Sequence, residues 1–140
     1  RELRRVAESG GVVLVSSYGT DPDHPVKPAV QTSLAVAGHV VPDWYDLIQA
    51  GPAAALATSE GMARAALDAG LDAEVTEFDI TFPDLEATDL VAWRMGMAHN
   101  APFVATLGTA ERDAVVSRAL QALGDAPTLV RRIVVLTALI

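Results

Sequence analysis

Four apolar residues in a row, Val12, Val13, Leu14 and Val15, follow a Gly10-Gly11 pair and run into Ser16, Ser17 and Tyr18. A strand wetted on one side alternates apolar and polar residues. An unbroken apolar run instead predicts a strand covered on both faces, as in the parallel sheets of α/β folds. Such a strand needs neighbours at both edges and a layer on each face, which constrains everything else in the chain. Ahead of it, Leu3 and Val6 stand three apart among charged residues and predict a short helix with one apolar stripe, stopped by the glycines. Ser16, Ser17 and Tyr18 then fall at the carboxyl end of the strand, the edge of an open α/β sheet where ligands bind.

Beyond Tyr18 the pattern changes. Residues 20–28, TDPDHPVKP, carry three prolines and no periodicity, which predicts a loop. Residues 31–41 are apolar but short. Pro42 to Gln49 predict a short helix with Trp44, Leu47 and Ile48 on one face and Gly51 as its stop. A structureless connection from Thr20 to Thr58 would be unusually long, so partial helix forming a lid over a ligand cavity is expected. Thr58 or Ser59 caps a helix through Met62, Ala66 and Leu67 to Gly70. Residues 72–82 alternate cleanly, with Phe78, Ile80 and Phe82 on one face and Glu77, Asp79 and Thr81 on the other, as expected of a half-wetted strand near a sheet edge. A helical insertion follows from Asp84 to Met97, with Leu90, Trp93 and Met97 at helical spacing, and Pro102 imposes a break. Thr109 caps a last helix whose apolar face is Val115, Val116, Ala119, Leu120 and Leu123, ending at Gly124. Leu129 to Ile140, interrupted by Arg131-Arg132, predict a final and mostly buried strand. One mixed sheet is expected, the final strand lying between the first and second and antiparallel to both.

Composition narrows the possible partners. Half of the 140 residues (51%) are hydrophobic, which suits one globular domain with a real core. Eighteen acidic against ten basic residues give a formal charge of -8, and this disfavours nucleic acid and anionic membranes. Cysteine is absent, so disulfides, thiolate nucleophiles and cysteine-based metal sites are excluded. No apolar run approaches the roughly 20 residues that span a bilayer, and a soluble cytoplasmic protein is the expectation. Self-association is left open.

The segment of charged helix, Arg5-Val6, Gly10-Gly11, apolar strand and Ser16-Ser17-Tyr18-Gly19 resembles the approach to the fifth strand of class I S-adenosylmethionine-dependent methyltransferases. It departs from that family at Ala7 and Ser9, where Leu and Pro are commoner. Two later segments resemble the ending of the small-molecule methyltransferases of this class: residues 93–104, WRMGMAHNAPFV, and residues 130–138, VRRIVVLTA. The resemblance covers nearly the whole chain but only about half of a full enzyme. It implies an α/β fold in which residues 1–140 are the carboxyl-terminal, acceptor-side half of a Rossmann-like domain, with an antiparallel final strand and a helical insertion. The glycine-rich turn and the acidic residue with which the family holds S-adenosylmethionine are not found. No cofactor-binding residue is therefore assigned here, and the cofactor is expected to sit mainly on an upstream half of the same domain. The implied function is methyl transfer to a small organic acceptor as part of a larger chain, and these residues alone are expected to be inactive, unable to bind the cofactor and unstable. A non-catalytic half-domain that packs on a partner, or a cyclase on the same fold, are the alternatives.

Methyl transfer needs an aligned acceptor, a water-poor pocket and sometimes a base. His99, at a helix end before Pro102, is the candidate base because imidazole titrates near neutrality; the plainer reading, a surface or capping histidine, is preferred. Tyr18, Trp44, Tyr45, Trp93 and Met97 are the candidate acceptor-binding residues, with Phe103 and Met95 as further wall. Trp44 packing its helix down with Tyr45 facing water, and Trp93 and Met97 as core residues, are the competing assignments. Asp21, Asp23 and His24 suggest a metal, but a proline-rich loop explains them more simply, and no metal site is assigned.

Overall fold

The final strand is the centre of the sheet. In the computed structural model, which describes residues 2–20 and 24–140, strands β1 (Val12–Tyr18), β2 (Ala73–Phe82) and β3 (Leu129–Leu139) form one three-stranded antiparallel sheet in the order β1-β3-β2. The register against β1 runs from Val12 opposite Leu139 to Tyr18 opposite Ile133. The predicted placement of the last strand between the other two is what the chain adopts.

The chain divides into two compact units. The first comprises Arg1–Pro22, Leu47–Thr81 and Val130–Ile140 and contains the sheet. Its core joins Val13, Val134, Leu136 and Ala138 to Met62 and Ala66 of helix α4 (Ser59–Asp68). Helix α4 starts as predicted: the Gly61 N–H donates to the Thr58 hydroxyl at 3.1 Å, satisfying one of the first-turn amides. Gly70, at φ 74°, closes it in the left-handed region.

Several expectations for this unit are corrected. Strand β1 is covered on one face only: Val13 is buried, whereas Val12 and Leu14 are 59% and 69% exposed. The unbroken run makes a strand, but α4 supplies only one layer, so the alternate side chains Val12, Leu14, Tyr18 and Leu139 form an open apolar face. Leu3 and Val6 of α1 (Glu2–Val6) are exposed, as is Leu67 of α4, so none of them belongs to a core stripe. Gly51 does not end the helix that begins near Pro42. Helix α3 (Asp43–Ile48) passes directly into a π-helical turn over Gln49–Ala53 that contains Gly51 and Pro52. The longer i→i+5 loop accommodates a proline whose nitrogen has no hydrogen to donate.

The second unit comprises Asp23–Asp46 and Phe82–Leu129. Helix α2 (Val26–Val36) packs on α5 (Ala87–Met95) and α7 (Thr109–Leu123), and α5 packs on α7. Their core is Val26, Val30, Leu34, Leu90, Val91, Val115, Ala119 and Leu123. The face predicted for α7 is the one buried, although Gly108, not Thr109, occupies the cap position; the Gly108 N–H donates to the Glu111 carboxylate at 2.9 Å. Helix α2 replaces much of the predicted loop. Pro25 sits at its cap and Pro28 within its first turn, where a missing N–H costs nothing because the first amides have no helical partner. The insertion after Pro83 is helical from Ala87, later than Asp84, and the predicted break at Pro102 is the first turn of a short helix α6 (Ala101–Val104). Among the described residues, no helix is long and apolar enough to cross a membrane.

Candidate functional site

Helix α5 buries a stripe of Leu90, Val91, Arg94 and Met95. Spacings of one, four and five residues put these on one helical face, so the guanidinium of Arg94 is carried into an apolar interior by its neighbours. Arg94 is 6% exposed. After Gly96 the chain tightens: the N–H groups of Asn100 and Ala101 both donate to the Met97 carbonyl at 2.8 Å. Asn100, fully buried, donates its side-chain amide to the Arg94 carbonyl at 2.9 Å and ties the turn back onto the end of α5. His99 is thereby turned inward, 3% exposed.

Aromatic rings surround it. The Tyr45 ring stacks on the His99 imidazole with centroids 3.8 Å apart at 25°, and Trp44 meets Tyr45 edge-on at 5.9 Å. His39 Nε2–H donates to the His99 carbonyl at 3.0 Å, and the His39 ring lies 5.0 Å from that of Phe103. Burial pushes the His99 imidazole below its ordinary value, and the positive charge of Arg94, then those of His39 and Lys27, push in the same direction. His99 is thus a neutral imidazole at physiological pH.

Four polar atoms here are buried without a hydrogen-bond partner: Nε and Nη2 of Arg94, Nε2 of His99 and Oδ1 of Asn100. The plainer reading of His99, a surface or capping histidine, is overturned by its burial and its ring contact. For Trp44 and Tyr45 the expected assignments are exchanged. Tyr45 is half-buried against His99, while Trp44 is exposed, because α3 turns its tyrosine face to the turn after α5. Trp93 is 38% exposed and lies off the buried stripe of α5, and Met97 is half-buried. The structure therefore brings Trp44, Tyr45 and His99 together and adds Arg94, Asn100 and His39, which sequence reading missed. The spacing of Leu90 and Arg94, four apart in an apolar stripe, was the available signal.

Tyr18 belongs to the sheet unit. It is exposed at the end of β1, with the Arg131 guanidinium 4.6 Å from its ring centre. A shallow depression of about 220 Å³ there is lined by Ser16, Ser17, Tyr18 and Ile133. A second, of about 390 Å³, follows the start of α2 from His24 to Gln31. Neither is lined by Trp44, Tyr45, Trp93 or Met97. On the opposite face of the sheet, the Ser59 N–H donates to Glu77 Oε1 at 2.6 Å and its hydroxyl donates to the same atom. Arg132 Nε donates to Asp79 at 2.9 Å. These bonds hold both carboxyls below their ordinary values.

Asp21 and Asp23 lie outside the described residues. His24 is engaged through both ring nitrogens: Nε2–H donates to the Pro127 carbonyl at 2.8 Å and Nδ1 accepts from the Val26 N–H at 3.2 Å. It is a clamp at the start of α2, and no cluster suited to a metal occurs among the described residues. S-adenosylmethionine does not fit the residues described. The left-handed glycines Gly10, Gly38, Gly70 and Gly124 each follow a helix, so none makes the turn after a strand that cradles such a cofactor. Of the three acids of β2, Glu77 and Asp79 are committed to Ser59 and Arg132, and Glu74 stands at the start of the strand rather than at its carboxyl end. No protein-family model matches the chain, and no curated protein is similar to it at a significant level.

Proposed function

We propose that this chain is the acceptor-side half of a cytoplasmic class I methyltransferase that moves a methyl group from S-adenosylmethionine to a small organic acceptor. The observation that carries this reading is the insertion of the last strand, antiparallel, between the first and second. That order is the one the resemblance leads one to expect. The open apolar face of Val12, Leu14, Tyr18 and Leu139, and the edge of β1 that pairs with no strand among the described residues, are consistent with completion by an upstream half that holds the cofactor.

In this reading the chain's own residues bind and deprotonate the acceptor. His99, kept neutral by burial and by the Arg94 charge, has an unoccupied Nε2 able to take a proton from an acceptor hydroxyl or amine. Tyr45 excludes water from that imidazole by stacking on it.

The test is to incubate the full-length protein with methyl-labelled S-adenosylmethionine and a panel of small hydroxyl, amine and carbon acceptors, with detection by mass spectrometry. A labelled product is expected. A folded full-length protein that shows no saturable binding of the cofactor rejects the reading. Cofactor binding accompanied by an unlabelled, rearranged product favours the cyclase alternative.

A further inference from the structure

The most demanding group in the helical unit is Arg94. A guanidinium removed from water needs an opposite charge or a full set of acceptors, because its own solvation has been lost. Among the described residues no carboxylate makes an ion pair or hydrogen bond with it, and both Nε and Nη2 are buried and unpartnered. Those two nitrogens project their hydrogens from the same edge of the guanidinium. They form the fork that receives two oxygens of one planar anion.

We propose that this fork is the anchor of a binding site for a small carboxylate, bordered by His99, Asn100 and the ring of Tyr45. The two N–H groups would each donate to one carboxylate oxygen. Asn100 Oδ1 cannot replace the ligand: a neutral amide oxygen takes up at most part of the fork and leaves the charge uncompensated. Arg94 carries the one charge that is buried and unpartnered here, and His39 and Lys27 act on His99 more weakly than it does. This favours a monoanionic carboxylate over a phosphate dianion, for which the same residues offer too little charge. The aromatic border of Tyr45, His99 and His39 favours a flat, unsaturated carbon skeleton. Tyr45 is only half-buried and α3 buries none of its residues, so little packing opposes a movement of this ring that opens the site.

The site stands on its own geometry. Identifying its carboxylate with the methyl acceptor rests on the methyltransferase reading, and the binding experiment below needs no cofactor, so the two can fail separately. Benzoate, its neutral analogue benzamide and inorganic phosphate are titrated into full-length protein, monitored by calorimetry and by the imidazole NMR signals of His99. Benzoate is expected to bind saturably and shift the His99 signals, with benzamide at least tenfold weaker and phosphate weaker still. Arg94→Met is expected to lower benzoate affinity at least tenfold and Arg94→Lys to restore part of it, each variant first shown to melt cooperatively. The comparison of the three probes on unaltered protein holds even where a variant does not fold. Equal binding of benzoate and benzamide, tighter binding of phosphate, no saturable benzoate binding, or unchanged affinity in a folded Arg94→Met protein would each overturn the proposal.

Discussion

Replacing Arg94 by Met should make the ligand-free protein more stable, the reverse of the usual outcome of a buried substitution. The Arg94 side chain lies in the α5 stripe beside Leu90, Val91 and Met95, with two of its nitrogens cut off from water and from any acceptor. Exchanging buried ionic groups for apolar side chains of similar volume is commonly neutral or stabilising by about 1–4 kcal/mol. Met retains a stem of similar length, so most of the packing of the Arg methylenes is kept. The Asn100 bond to residue 94 goes to the backbone carbonyl and survives the change. A gain of about 1–3 kcal/mol is expected, and each kcal/mol raises Tm by about 2–4 °C for a domain somewhat larger than this one. The assay is urea unfolding of full-length protein followed by tryptophan fluorescence in a buffer without acetate, citrate or other carboxylates. Added benzoate should then stabilise the natural protein and leave Arg94→Met unmoved. A loss of more than about 1 kcal/mol in Arg94→Met at unchanged denaturant slope would mean that the charge already has its partner, and the reasoning would fall.

Two further outcomes test the energetics around this site and in the sheet unit. Because burial lowers the His99 pKa in the folded state, the unfolded chain binds more protons as pH falls through the ordinary histidine value of about 6.5. Stability from this group is therefore intact above that pH and declines below it; His99→Gln should flatten that part of a pH series of urea midpoints, and an unchanged slope would count against the buried neutral imidazole. Gly61→Ala should destabilise by about 1–3 kcal/mol, since a Cβ at residue 61 would stand 2.1 Å from the Ala55 carbonyl oxygen; a thermal melt within error of the natural protein would show that this backbone yields.

The legibility of this chain divides along a physical line. The central place of the last strand was legible in the long apolar run from Ile133 to Ala138 and in the resemblance, whereas the equally unbroken run Val12–Val15 stands at an edge of the sheet. Likewise the buried face of α7 follows directly from Val115, Ala119 and Leu123. What the residues could not disclose was which layers are present: an apolar run shows that Val12 and Leu14 favour burial, and α4 covers neither. Helix α2 was concealed by Pro25 and Pro28, which read as loop unless the first turn is known to tolerate them. Around His99 the difficulty was distance along the chain. Tyr45 and His39 reach it from more than fifty residues away, and no local spacing encodes that encounter.

Placing the central strand last in sequence also sets an order of events during synthesis. Roughly a hundred residues separate β1 from β3, so at about 5–20 residues per second β1 waits about 5–20 s on the ribosome before its partner is made. Throughout that interval Val12 to Val15 lack their β3 partner, and β2 emerges lacking the same partner, because both neighbour β3 and not each other. The helices α2, α5 and α7, by contrast, are complete before β3 begins and can assemble their shared core first. Premature termination shortly after Leu129 would consequently leave a formed helical unit tethered to two strands without the neighbour they share, a species suited to capture by chaperones and proteases.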